Sequence, residues 1–154
     1  MMAPNLYFNL QEGVYVNNSP RQGEVSELAV ASELMIEGHG VSFPFGHNHQ
    51  YDLIVDTDGV LYRIQVKTAR HEEGNRYYIQ ADESQYDDKY VDLLAGYSES
   101  REAAFYIPVT EASGKRQRVT FTDLDRMGSD KNRRQSNHIS EYRFCEAIER
   151  VESR

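Results

Sequence analysis

Tyr51-Asp52-Leu53-Ile54-Val55-Asp56-Thr57-Asp58-Gly59-Val60-Leu61-Tyr62-Arg63-Ile64-Gln65-Val66-Lys67 reads as two β-strands joined at Asp58-Gly59. Asp-Gly suits a type I′ hairpin turn, because both central positions need φ > 0. With those two in the turn, Thr57 faces Val60, and counting outward sets Asp52 opposite Gln65. Side chains alternate along a strand, so Gln65 and Lys67 share the face of Asp52. The other face carries Leu53, Val55, Tyr62, Ile64 and Val66, a core-forming set. A carboxylate, an amide and an ammonium therefore converge on one side of a hairpin that is apolar on its other side. Such a group of side chains suits metal-assisted hydrolysis.

Outward from this hairpin, Ser19-Pro20 offers an N-cap followed by Pro at a first helical position. The helix it opens runs to about Glu37, where Gly38-His39-Gly40 stops it. On a helical wheel Ser26, Val30, Glu33 and Glu37 form the expected solvent side, with Leu28, Ala31, Ser32 and Met35 opposite. Glu27 falls about a quarter-turn from both, at the edge of the buried face; Glu24, one turn earlier, competes with it. Strands are expected at 41–45, 51–57, 60–68 and 76–80, then at 91–97, 103–109 and 116–121. Asp82 to Asp88 reads as a short helix or loop, Thr122-Asp123-Leu124 caps another short helix, and Ile139 to Val151 reads as an amphipathic helix. A helix followed by a strand-rich mixed sheet and further helices is an α/β (α+β) layout. Residues 1–18 are expected to form an edge strand, an oligomer arm or a tail, and residues 19–154 a single domain.

A chain of 154 residues with 39% hydrophobic and 11% aromatic residues is long and apolar enough for one real core. No apolar run approaches the ~18 residues of a membrane helix, and no signal peptide opens the chain. The single Cys145 excludes an intramolecular disulfide. An intracellular, cytoplasmic protein without a membrane partner is the expectation. The net charge is −8, but it is unevenly spread: residues 1–114 hold 18 acids against 7 Lys/Arg, and residues 115–154 hold 7 against 10. Nucleic-acid affinity depends on local phosphate neutralisation, so basic segments on an acidic body can still bind DNA. Lys115, Arg116 and Arg118, with Arg133 and Arg134, are the candidate phosphate contacts, in basic elements at about 115–138. His47-Asn48-His49 lies just before Tyr51-Asp52, close to any DNA at the site, and no Cys or further His sits at zinc spacing with it. Tyr77 and Tyr78 are candidates for strand packing or for contact with DNA.

Asp-x12-Gln-x-Lys with a Glu on the preceding helix resembles the PD-(D/E)XK nuclease superfamily, with Gln replacing the usual second acid. The wider run Gly23-Glu24-Val25-Ser26-Glu27-Leu28-Ala29, Val41-Ser42-Phe43-Pro44-Phe45-Gly46, Tyr51-Asp52-Leu53 and Gln65-Val66-Lys67-Thr68-Ala69 is similar to one branch of it. That branch is the small homing endonucleases encoded within group I introns. Archaeal Holliday junction resolvases share the spacing but usually keep the second acid. The resemblance implies a restriction-endonuclease-like core and an endonuclease that hydrolyses double-stranded DNA with Mg²⁺, for which Mn²⁺ would substitute. It implies Asp52, Gln65, the main-chain carbonyl of Val66 and Glu27 as metal ligands, with Lys67 positioning the attacking water. It also implies a prokaryotic, archaeal or viral setting. Junction resolution, and a non-catalytic DNA-binding or interaction module, are the alternatives. A long duplex target would call for a homo-oligomer, dimer or tetramer.

Overall fold

The computed structural model describes residues 6–9, 14–17, 19–121 and 137–153. Two short strands, β1 (Leu6–Asn9) and β2 (Val14–Asn17), pair as an antiparallel hairpin within the segment expected as an edge strand, an arm or a tail. Helix α1 (Ser19–Ile36) follows and ends before Gly38, whose φ of 97° is the left-handed conformation of a helix stop.

Strands β3 (Gly40–Ser42), β4 (Leu53–Thr57), β5 (Val60–Thr68), β8 (Leu93–Ser98) and β9 (Ala103–Pro108) form a mixed sheet in the order β3-β4-β5-β8-β9. Asp58 and Gly59 have φ of 52° and 85°, as a type I′ turn requires, and Thr57 pairs with Val60. The strand expected at 41–45 stops at Ser42, and 43–50 is a loop over Pro44 and Gly46. Strands β6 (Arg70–Glu73), β7 (Arg76–Gln80) and β10 (Arg116–Thr120) form a second sheet in the order β10-β7-β6. Beyond Asn137 a 3₁₀ turn at Ile139–Tyr142 precedes α2 (Phe144–Glu152), so the expected terminal helix is shorter and starts later. The short helix expected at 122–124 lies outside the described residues.

Three layers result. Val30, Ala31 and Leu34 of α1 and Phe144 and Ala147 of α2 pack on one face of the central sheet, against Leu53, Val55, Tyr62, Ile64, Val66, Leu93, Ala95 and Tyr106. The opposite face, through Leu94, Phe105 and Ile107, packs on Tyr77, Ile79 and Val119 of the second sheet. Helices therefore cover one face, while a sheet covers part of the other. This α/β architecture is restriction-endonuclease-like.

The wheel reading of α1 is corrected. Ser26 and Val30, expected toward solvent, are fully buried, whereas Leu28 and Met35 are 60% and 62% exposed. Apolar residues occur on both sides of this helix, so its own pattern does not choose a face. Burying Val30 and Leu34 on the sheet contributes about 1.5–3 kcal/mol each, and the sheet makes the choice.

Candidate active site

Strands β4 and β5 part company at Asp52. The main-chain N–H of Asp52 donates to the carbonyl of Ile64 at 2.8 Å, but two residues further along β5 the N–H of Val66 goes to the Asp52 carboxylate instead. Asp52 Oδ2 accepts from Val66 N at 2.7 Å and from Gln65 Nε2 at 2.6 Å. Oδ1 takes no hydrogen bond among the described residues. The aspartate thus finishes the ladder with one oxygen and leaves the other without a hydrogen bond among the described residues.

Glu27 approaches from α1. Its predecessor Ser26 is buried and shares a hydroxyl hydrogen bond of 2.7 Å with Thr68, the residue after Lys67. This clasp pins the helix to β5 through the neighbours of Glu27 and Lys67, and nothing in the spacing of the motif announces it. Glu27 and Asp52 line one cavity of about 250 Å³ with Phe43, Pro44, Gly46, His47, His49 and Tyr51. Glu24 is exposed and does not line it, although its charge acts on Glu27. Of the loop expected near the site, His47 and His49 border the cavity and Asn48 is exposed beside it. His49 Nε2 lies 2.8 Å from the carbonyl oxygen of Phe45, which stiffens the loop.

The charges of the group act on one another. Burial raises the Glu27 pKa above its ordinary value, the charges of Asp52 and Glu24 raise it further, and Lys67 lowers it. Burial likewise raises that of Asp52, against the Val66 hydrogen bond and Lys67, which lower it. Lys67 makes no direct ion pair among the described residues, so a simple Asp52–Lys67 bridge is not what these residues form.

Two desolvated carboxylates whose charges repel, a neutral amide and a main-chain carbonyl are hard oxygen donors short of positive charge. Such a set fits Mg²⁺ or Mn²⁺ better than zinc. Among the described residues no three His, Cys, Asp or Glu side chains group as a metal cluster, so the fit depends on the Gln65 and Val66 oxygens. Gln65 turns its NH₂ toward Asp52, the arrangement a lone carboxylate attracts; to hold a cation the amide would present its oxygen instead. Gln65→Glu should therefore lower the melting temperature without metal, by setting like charges together. The same variant should show a larger rise in melting temperature on adding Mg²⁺. A melting scan with and without the ion checks both signs.

The basic candidates sit elsewhere. Arg116 and Arg118 are exposed on β10, with Lys115 just before it. Arg118 Nε bonds both oxygens of Glu72 at 3.1 Å, a partner that no spacing in the chain points to. Arg133 and Arg134 lie outside the described residues.

The family model of the PD-(D/E)XK endonucleases matches residues 17–145. The chain belongs to this family. No curated protein matches it. Among solved structures, the PD-(D/E)XK chain is similar to a bacterial homing endonuclease, I-Ssp6803I, at 24% identity and a TM-score of 0.64, over 87% of this chain and 91% of that one. At that identity the likeness is one of fold. A Holliday junction resolvase from the archaeal hyperthermophile Archaeoglobus fulgidus overlaps at 21% identity and a TM-score of 0.45, over 64% of this chain and 84% of that one. Among the described residues no helix is long and apolar enough to cross a membrane.

Proposed function

We propose that this PD-(D/E)XK protein is a Mg²⁺-dependent endonuclease that hydrolyses phosphodiester bonds in double-stranded DNA, acting at a specific target as homing endonucleases do. The observation that carries the catalytic reading is the shared placement of Asp52, Gln65, the Val66 amide and Glu27 beside Lys67. Asp52 Oδ1, Gln65 Oε1, the Val66 carbonyl and Glu27 would hold the ion. When bound, it supplies Lewis-acid charge to the scissile phosphate.

The chain's own groups do the rest. The Lys67 ammonium donates hydrogen bonds to the attacking water and offsets the negative charge that builds on phosphorus-bound oxygens. Glu27 orients water on the helix side of the cavity. Water oxygen bonds to phosphorus and gives up a proton to solvent as the bond to the 3′-oxygen breaks, and the 3′-oxygen takes a proton from solvent and leaves as a hydroxyl. Gln65 in place of an acid leaves the donor set one charge poorer, so substrate phosphate is needed more as a co-ligand. The preference for a duplex target rests on the motif with its flanks from Gly23 to Ala69 and on basic residues at 115–118. A homodimer or tetramer would bring two such sites to the two strands.

Incubating the full chain with Mg²⁺, Mn²⁺ or EDTA, on genomic-scale duplex DNA and on a four-way junction, tests this reading. Ends mapped by sequencing should recur at one site and vanish with EDTA. Preferential cutting of the junction would replace target cleavage by resolution. Absence of cutting with either ion would leave a non-catalytic module.

A further inference from the structure

We propose that the outward face of the β10-β7-β6 sheet is a phosphate-binding track for the duplex DNA that flanks the cut; the proposal rests on the DNA-endonuclease reading above. In this sheet Arg116 pairs with Gln80, Arg118 and Arg70 both pair with Tyr78, and Thr120 pairs with Arg76. Residues directly opposite share a face. Tyr77, Ile79, Gln117 and Val119 are buried against the central sheet, so the alternate residues Arg76, Tyr78, Arg116 and Arg118 look outward. Arg70, opposite Tyr78, is exposed with them.

Four guanidinium groups thus ring Tyr78 on a chain whose net charge is −8. Two carboxylates offset part of this: Glu72 holds Arg118 at 3.1 Å and stands 3.9 Å from Arg76, and the exposed Glu73 is paired opposite Arg76. Arg70 has no ion pair among the described residues. The Arg116 guanidinium lies over the Tyr78 ring, 4.7 Å from its centre. With its ring already covered, Tyr78 is a poor platform for an unstacked base, which favours a duplex backbone over a single strand. Arginine forks also match phosphate oxygens better than base edges reached from a flat sheet.

The track begins at the site. Strand β5 passes through Ala69 directly into β6, so Arg70 follows Lys67 by three residues, roughly 10 Å along the chain. Along β10, Arg116 to Thr120 spans roughly 14 Å, about four nucleotide steps of one strand at 3.4 Å each. DNA passing Lys67 would meet Arg70 first and then the arginines of β7 and β10.

Fluorescence polarisation on a random-sequence duplex of roughly 30 bp, about three helical turns, in EDTA between about 50 and 200 mM salt, tests the track. Neutralising two contacts in Arg70→Gln with Arg116→Gln should flatten the plot of log affinity against log salt by up to about 2, since each lost contact removes roughly 0.9. The loss should be alike for unrelated sequences. Glu72→Gln, which releases Arg118 and Arg76 and removes a repelling carboxylate, should tighten binding several-fold, a gain that misfolding cannot produce. Unchanged affinity and slope in the double variant, a Glu72→Gln protein no tighter than the parent, or stronger arginine-dependent binding to the single strand would each overturn it. Plasmid cutting by the parent chain, lost in Asp52→Ala, is read in parallel. Cutting without arginine dependence sinks the track alone, and arginine-dependent binding without cutting sinks the nuclease reading alone.

Discussion

Asp52→Ala protein, purified free of other nucleases, is expected to lose DNA cutting by on the order of 10³-fold or more while still binding duplex DNA. Lys67→Ala should lose a similar amount, because the site then lacks the ammonium that the proposed mechanism assigns to the attacking water. Cleavage by Asp52→Ala at parental rates would end the assignment. Asp52→Asn serves as the folded control: its Oδ1 can still accept from Gln65 Nε2 and Val66 N, as the carboxylate does at 2.6 and 2.7 Å. Stability should move the other way. Burial raises the Asp52 pKa, so the folded state holds this charge less willingly than the unfolded chain does. The charge therefore opposes folding at neutral pH, and that cost fades as pH falls through the raised folded-state value. Metal-free Asp52→Asn should melt above the parent at pH 7, with the gap closing on acidification. Saturating Mg²⁺ should then favour the parent, since ten times a dissociation constant contributes about 1.4 kcal/mol and the variant has lost its ligand charge. A melting series over pH, with and without Mg²⁺, reads every one of these signs.

The second large effect lies in the core. Gly96 sits in β8, beside Lys67 in the parallel register, and is buried between the two sheets. A Cβ there would overlap the Phe105 ring and come 2.7 Å from Ile79 Cγ2. Phe105 and Ile79 are both fully buried, so neither has room to retreat. Gly96→Ala should cost about 3 kcal/mol, which for a chain of this size lowers the melting temperature by roughly 6–12 °C. Combining it with Phe105→Leu should recover part of that loss, because the ring is the principal obstruction. Should Gly96→Ala melt within a degree or two of the parent, the tight contact between the sheets would be refuted.

Much of the site is legible in the amino-acid order. The turn preference of Asp58-Gly59 and the period of two along a strand suffice to pair Thr57 with Val60 and to put Asp52 beside Gln65. Both signals are local, carried by residues next to one another in the chain, and the observed φ values and register agree with them. The second sheet is half legible. Its strands at 76–80 and 116–121 are expected, but β6 is not, since Arg70-His71-Glu72-Glu73 has none of the β-branched or aromatic residues that mark a strand.

By itself, then, the sequence determined the hairpin, its register and the family the chain belongs to. Tertiary structure alone decided which side of α1 is buried, because Leu28 and Met35 on one side compete with Val30 and Leu34 on the other, and only the sheet opposite breaks the tie. It also decided that Ser26 meets Thr68, 42 residues away, and that Arg118 meets Glu72, 46 residues away. Such partners are chosen by how separate elements pack, which no spacing along a single strand or helix records.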